Sequence, residues 1–419
     1  MRIVLFSINF APELTATGYY SGVLARDLVA RGHQVVVFAA PPFYPEWKRQ
    51  PGYSRFWWSS TEWEGVHVYR CPTFIPSHPS GITRLLHYGS FAASSLVASI
   101  WYRLRHAPDL VLNVSPTIFS SVGALALAAL SSAKSWLHIQ DFEVEAGFAT
   151  GQMTAQSLLG RMAMRFERLV INSFDKCSSI SHEMCRKLVE KGRSEESVYE
   201  FRNWSDLDTI KPQRDSIYRA QWSIGEQKVV LFSGSITRKQ GLEVIVEAAR
   251  LMQDREDLIF VLCGNGPGRA ALERQAIGLS NLLFHDLQPR ENLNELLALA
   301  TLHLLPQKAD AADLVLPSKL TNMLASGRPV IAGASPNTGL AREVKDCGLI
   351  FEPEDAVDLA SKITELLKDE TALNQYGLNA RERARQYWHQ TPIIDALESQ
   401  ITLLCADTPR SDVGRTEHR

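Results

Sequence analysis

Five short stretches of this 419-residue sequence place small, basic and polar residues where a phosphate or a substrate hydroxyl could be held. The richest is Pro317-Ser318-Lys319-Leu320-Thr321-Asn322, which follows Leu305-Pro306-Gln307 and a polar loop and runs on to Gly327. Pro317 suits the turn before a helix, Ser318 its N-cap and Gly327 its left-handed stop. A helix start presents unpaired N–H groups and partial positive charge, and Lys319 adds a full one, so the stretch can seat phosphate. In Gly234-Ser235-Ile236-Thr237-Arg238-Lys239-Gln240-Gly241, small residues let the backbone close in while Arg238 and Lys239 supply charge, as a pyrophosphate clamp requires. Gly264-Asn265-Gly266-Pro267 is a turn against which a nucleotide base could stack or bond. His138, with Asp141 three residues on, could do acid–base work or hydrogen-bond a substrate hydroxyl, and Glu143 and Glu145 make that loop acidic. Gly18 stands where a ligand could approach the backbone at a helix start. Each stretch alone also reads as ordinary structure: a loop–helix–strand unit with a solvated lysine, a basic corner, a common Gly-Pro turn, a buried histidine, a turn glycine.

The elements that must position these residues repeat a βα rhythm. The spacing predicts a strand over 3–8, a helix over 19–31 stopped by Gly32, and a strand over 35–39, a βαβ unit that implies a parallel sheet. Strands follow at 110–114, 134–139 and 177–180, with helices at 119–130, 160–174 and 182–191. The rhythm restarts after a polar stretch: strands at 228–232, 258–262, 282–285, 303–305 and 348–351 alternate with helices. The fold class is therefore α/β, with two Rossmann-like parallel-sheet domains facing a central cleft, which is the default ligand site. Residues 1–204 form the first domain and 205–384 the second. The helix over 385–405 is expected to pack back on the first, and 406–419 is a polar tail. The first βα loop lacks Gly-x-Gly-x-x-Gly, which disfavours a nicotinamide enzyme.

Residues 41–79 form a proline- and aromatic-rich excursion with a strand at 66–70. The apolar run from Leu85 to Tyr102, bounded by Arg84 and Arg103, reads as an amphipathic or interfacial helix rather than a spanning one, with a core helix as the alternative. A net charge of −2 leaves no overall basic footprint, so nucleic acid is not an expected partner. The six cysteines are scattered, without metal-ligand or Cys-x-x-Cys spacing, and Met1-Arg2 runs straight into a strand, so a reduced cytoplasmic protein without a signal peptide is expected.

The order of these motifs resembles glycosyltransferase family 4, the retaining transferases of the two-Rossmann-domain GT-B type. The likeness runs from Gly18 and Arg31-Gly32-His33 through His138, the Glu167…Asp175…Ser181 segment and Asn203…Asp206. It continues through Gly234…Lys239-Gln240-Gly241, Gly264-Asn265-Gly266-Pro267 and Ala325-Ser326-Gly327-Arg328-Pro329-Val330. The chain looks most similar to the colanic-acid-type exopolysaccharide transferases in Ala40-Pro41-Pro42-Phe43-Tyr44-Pro45, His138-Ile139-Gln140-Asp141, Lys239-Gln240-Gly241-Leu242-Glu243 and Leu316-Pro317-Ser318-Lys319.

The resemblance implies a nucleotide-sugar donor, GDP-fucose or another GDP- or UDP-sugar, held by the second domain. The acceptor, a lipid-diphosphate-linked saccharide, would meet the first domain at the cytoplasmic face of the inner membrane. No metal or other cofactor is implied; basic residues and helix ends stabilise the departing diphosphate. Lys239 matches the family's phosphate lysine, and His138 its histidine near the reacting sugar; Asp141 shares that loop. Gly18, Gly234, Ser235, Arg238, Gly264, Gly266, Ser318, Lys319 and Asn322 complete the implied donor site. The chain departs from the family at its glutamate pair. Asn322 stands in place of the second, which holds the donor ribose, and Leu314 stands near the first, whose carboxylate Asp310 or Asp313 could supply. Ser235 replaces the arginine after the clamp glycine, with Arg238 to compensate. The degraded pair leaves two alternatives, a non-catalytic nucleotide-sugar-binding partner of another transferase and a sugar-nucleotide epimerase of similar fold.

Overall fold

A computed structural model of the protein describes residues 1–13, 15–44, 46–145, 156–237, 240–308 and 317–406. The chain divides into two compact units, one of Met1–Ile180, Met184–Phe201 and the residues from Ile394, the other of Ser181–Glu183 and Arg202–Ile393.

In the first unit the elements run β1 (Arg2–Ser7), α1 (Ala16–Ala30), β2 (Gln34–Ala39), β3 (Ser59–Trp63), β4 (Val66–Arg70), α2 (Gly81–Arg103), β5 (Leu110–Ser115), α3 (Ser121–Ser131), β6 (Lys134–Ile139), α4 (Leu158–Ser173), β7 (Lys176–Ser179), α5 (His182–Glu190) and β8 (Val198–Glu200). Eight strands pair in the order β3-β4-β2-β1-β5-β6-β7-β8. Every pairing is parallel except β3 with β4. The central strands β1 and β5 are apolar runs buried along nearly their whole length, as a sheet covered on both faces demands.

Local chemistry moves several expected boundaries. Helix α1 begins at Ala16 rather than 19 because the Thr15 hydroxyl caps it, accepting from the Gly18 N–H at 2.9 Å. Helix α2 begins at Gly81, where Ser80 and Thr83 form a reciprocal capping box. Strand β3 was not expected: its residues are exposed or half-buried, so it lacks the apolar alternation that marks a strand.

The second unit continues with α6 (Ile217–Gln221), β9 (Lys228–Ser233), α7 (Glu243–Leu251), β10 (Leu258–Cys263), α8 (Arg269–Gln275), β11 (Leu282–His285), α9 (Leu293–Leu299), β12 (Leu302–Leu305), α10 (Lys319–Ala325), β13 (Val330–Gly333), α11 (Gly339–Val344), β14 (Gly348–Phe351), α12 (Ala356–Lys368) and α13 (Glu370–Tyr387). The last helix, α14 (Gln390–Ala406), starts here and from Ile394 belongs to the first unit. Six parallel strands are ordered β11-β10-β9-β12-β13-β14. From β9 the chain winds outward to β10 and β11, then returns on the other side with β12, β13 and β14. The loops leaving β9 and β12 therefore diverge and open a crevice at their carboxyl ends, the usual ligand position in such sheets. In the first unit the same reversal lies between β1 and β5.

Candidate functional site

In the second unit the site is built on α10. Its inner face buries Leu320, Met323 and Leu324 completely or nearly so, which contributes about 2 kcal/mol per side chain. Its carboxyl end is held by Arg381 on α13, whose guanidinium donates to Ala325 O at 2.7 Å and Ile210 O at 2.8 Å, a cation where the helix dipole favours one. Gly327 then takes the left-handed φ of +69° that ends the helix, as the sequence led us to expect. Ser318 does not cap: its backbone is already helical and its side chain makes no capping bond.

Fixed in this way, α10 aims Lys319 at the loop that leaves β9. The ammonium lies 4.3 Å from the centroid of the Phe232 ring and 3.5 Å from Ser235 O. With its oxygen turned toward the lysine, the Gln240 amide accepts from Nζ at 2.9 Å. Gly234, at φ +131°, leaves the slot that the lysine fills; a side chain there would collide with Lys319 Cε and Nζ. Among the described residues Lys319 has no ion-pair partner, and desolvation brings its pKa down to about 7. A half-buried cation with no carboxylate among the described residues, at the switch point of a parallel sheet, can receive an anion.

Gly264 and Gly266 are also required by the packing of two loops. The loops after β9 and β10 continue the parallel ladder beyond the strands, with Gly234 N–H donating to Cys263 O and Ile236 N–H to Asn265 O, both at 2.9 Å. A Cβ on Gly264 would overlap Gly234 O, and one on Gly266 would overlap Ile236 O. Both glycines thus permit backbone-on-backbone approach between loops. Asn322 Oδ1 accepts from Ser205 Oγ at 2.8 Å, so its oxygen is committed within the fold. Arg238, Lys239, Asp310, Asp313 and Leu314 lie outside the described residues. Elsewhere in this unit Arg202 pairs with Glu343 at 3.0 Å and Arg342 with Glu183, beside a small cavity that Ser181 and Gly339 also line.

In the first unit Gly18, His138 and Asp141 lie at the carboxyl edge of the sheet, after β1 and β6. Gly18 has its own reason to be glycine: its N–H is taken by Thr15, and a Cβ would press on Thr15 Oγ1 and Glu13 O. His138 is buried at the end of β6. Its Nδ1 lies 2.9 Å from Ser178 Oγ, which also accepts from Trp136 Nε1 at 2.8 Å. Burial pushes the imidazole pKa down to about 3, so it is neutral at physiological pH. Of the two roles open to it, hydrogen bonding to a hydroxyl suits a neutral ring better than proton storage.

Sequence reasoning missed the residues that hold these loops. Glu13 is buried; Oε1 accepts from the Phe43 and Tyr44 N–H groups at 2.7 Å each, and Oε2 from Asn9 at 2.8 Å. Buried Arg70 donates to Ala40 O at 3.0 Å and also to Ala11 O. Together they tie the loop after β1 to the loop after β2. Glu143 Oε2 accepts from Ile118 N–H at 3.0 Å. Burial, reinforced by Asp141, holds its pKa well above the usual carboxylate range. A lone carboxylate in a loop carries no periodic signal, so nothing in the sequence marked Glu13 out.

Two family models match the chain: "Glycosyl transferases group 1" over residues 214–383 and "Glycosyl transferase 4-like domain" over residues 15–204. The Escherichia coli (strain K12) protein WcaI, named for colanic acid biosynthesis as a glycosyl transferase, is 39% identical over 391 residues, covering 90% of this chain and 95% of its own. The chain is a group 1 glycosyltransferase. Family membership favours a transferase over the epimerase alternative. Among solved structures this glycosyltransferase resembles sucrose-phosphate synthase from Thermosynechococcus elongatus, with a TM-score of 0.76, 18% identity and coverage of 97% of this chain and 100% of that one. It also resembles Anabaena HepE, solved in complex with UDP-glucose, with a TM-score of 0.68, 15% identity and coverage of 96% and 100%. These likenesses carry the fold, two Rossmann-like parallel-sheet units of the GT-B kind.

Proposed function

We propose that this glycosyltransferase moves a hexose from a nucleotide-sugar donor to a lipid-diphosphate-linked saccharide, with retention of configuration, in the assembly of an exopolysaccharide. The observation that carries the reading is Lys319, an ammonium without a carboxylate among the described residues, set over Phe232 beneath Gly234 at the switch point of the second sheet. Support for the polysaccharide comes from the full-length likeness to WcaI, and for a UDP-sugar from the HepE complex; GDP-sugars, GDP-fucose among them, remain within the reading.

In this mechanism the second unit holds the donor. Lys319, with Lys239 and Arg238, neutralises the charge that develops on the diphosphate as the glycosidic bond breaks. The leaving phosphate itself takes the proton of the acceptor hydroxyl, so no side chain need form a glycosyl intermediate and no resident metal is required. His138, held neutral, would hydrogen-bond a sugar hydroxyl. A lipid-linked acceptor places the reaction at the cytoplasmic face of the inner membrane.

A thermal-shift screen across GDP- and UDP-sugars tests the donor, because a ligand that binds only the native state raises apparent stability. Transfer to a lipid-linked acceptor, with the anomeric configuration of the product read by NMR, tests the reaction. No shift with any nucleotide sugar, or an inverted product, would overturn the reading. His138→Ala is expected to lower kcat about 100-fold with little change in donor Kd, the pattern of a contact made chiefly at the reacting sugar. Wild-type turnover would make His138 purely structural. Lys239→Ala should raise donor Kd and lower kcat together by about tenfold or more. Unchanged kinetics would remove Lys239 from the clamp.

A further inference from the structure

Helix α2 is apolar on its outward face, unlike a helix on the surface of a water-soluble domain. Its core-facing positions are His87, Phe91, Ser95, Ser99 and Tyr102, all buried. The inward serines need no partner from the core: Ser95 Oγ donates to Ala92 O at 3.2 Å and Ser99 Oγ to Leu96 O at 2.7 Å, each within its own helix. The outward stripe is Leu85, Leu86, Val97, Ile100, Trp101 and, at the end of the helix, Leu104, with exposures of 43–77%. A helix stabilised only by the core would not turn six large apolar side chains outward while burying Ser95 and Ser99.

The neighbouring elements extend this face. Trp58 Nε1 donates to Ser94 O at 3.0 Å, which docks the loop before β3 against α2 and brings the exposed Phe56 and Trp57 with it. Helix α3 packs against both α2 and α4. On α4, Leu158, Leu159, Met162 and Leu169 are exposed by 57–69%. Arg161, Arg165 and Arg168 are exposed between them.

The charge on this layer has one sign. Helices α2 and α3 contain no Asp or Glu, and the single acid of α4, Glu167, is buried and paired with Lys191 at 2.6 Å. Arg84, Arg103 and Arg105 mark the two ends of α2, and Arg105 lies over the Trp101 ring. Exposed apolar and aromatic side chains on helices whose exposed charges are all arginines match a surface that is apolar below and anionic above. A second copy of the chain fits poorly, since a twofold contact through this face would set its arginines against one another. Among the described residues no helix is long and apolar enough to cross a membrane, so the layer would lie in the interface, not span it.

We propose that the outer face of α2, together with α4, is a membrane-docking surface that embeds its apolar stripe among the headgroups of an anionic lipid bilayer. The proposal deepens the lipid-linked reading above by naming the surface and the lipid charge, and its test separates the two.

The full-length protein is floated on a density gradient with phosphatidylcholine vesicles, with and without phosphatidylglycerol. The wild type is expected to float with the mixed vesicles and to stay below with phosphatidylcholine alone. The double variant Trp101→Ser/Leu104→Ser should float about tenfold less. The triple variant Arg161→Gln/Arg165→Gln/Arg168→Gln should lose the preference for phosphatidylglycerol. All of these side chains are exposed, and both variants should keep the wild-type circular dichroism spectrum and nucleotide-sugar thermal shift. A wild type that never floats, variants that float like it, or a dimer in sedimentation that Trp101→Ser dissolves would each overturn the proposal. Flotation without transfer from any nucleotide sugar would leave the surface standing and remove the reaction; transfer to a short soluble acceptor without flotation would do the reverse.

Discussion

Lys319→Met is expected to lower kcat/KM for sugar transfer about 100-fold, equivalent to about 2.7 kcal/mol of transition-state stabilisation, as expected for removing one preorganised group facing developing charge. The thioether is one atom shorter than the lysine but keeps its unbranched apolar stem, so it can fill most of the slot beneath Gly234 while carrying no charge. The pH dependence is the sharper signature. The ammonium is the form that attracts a diphosphate, and desolvation has brought its pKa to about 7 in the free protein. A bound anion must raise that pKa, so above pH 7 donor binding takes up a proton. The donor Kd should therefore rise by up to tenfold per pH unit above 7, and only there. A nucleotide sugar does not itself titrate in this window, so the slope belongs to the protein. Calorimetry across pH 6–9 should give that slope for the wild type and a flat line for the methionine variant. A flat wild-type profile, or a variant with wild-type affinity, would take Lys319 out of the donor site. Lys319→Arg is expected to restore little, because a planar guanidinium is broader than the slot that Gly234 leaves.

Gly264→Ala should destabilise the second unit by about 3 kcal/mol and abolish nucleotide-sugar binding with it. The added methyl would overlap the carbonyl oxygen of Gly234. Neither loop can yield cheaply, since Gly234 N–H is bonded to Cys263 O and Ile236 N–H to Asn265 O. Any separation of the loops would also move Ser235 O away from Lys319. The control is Gly225→Ala, where a Cβ meets nothing within 4 Å and the backbone needs no positive φ. It should unfold in urea like the wild type. Equal midpoints for both variants would mean that the two loops are not coupled as their hydrogen bonds imply.

Much of the scaffold was legible because burial on both faces writes itself as apolar runs. The strands expected at 228–232 and 258–262 are β9 (Lys228–Ser233) and β10 (Leu258–Cys263), and the strand expected at 66–70 is β4 (Val66–Arg70). What failed was local polarity standing in for position. Strand β3 pairs through its backbone at a sheet edge, where Ser59, Thr61 and Glu62 need no apolar pattern. The run from Leu85 to Tyr102 could be read as a helix, but periodicity gives no account of which face turns inward; here the serines do.

The candidate site divides in the same way. Lys319 was legible as a cation at a helix start. Its contact with Phe232 joins residues far apart in sequence and follows only from the strand order β9-β12. Gly264 and Gly266 were legible as special positions, but their approach to the backbone of Gly234 and Ile236 was not, because a glycine that admits a ligand and one that admits another backbone look alike in sequence.

Helix α14 carries a consequence for how the protein is made. From Ile394 its residues belong to the first unit, where Ile394, Leu397 and Ile401 are fully or almost fully buried. There Arg31 pairs with Asp395 at 2.6 Å and with Glu398 at 2.8 Å, and His33 lies 2.8 Å from Glu398. Although this unit includes β1, it is finished by residues translated only after the second unit. While the ribosome makes the intervening two hundred or so residues, the seat of α14 stays open, an apolar strip beside Arg31 and His33. The unit synthesised first is thus the one completed last. Maturation of the pair is timed by the arrival of a single helix, and a nascent chain stalled before Ile394 would present a sticky, half-built domain to the chaperones of the cell.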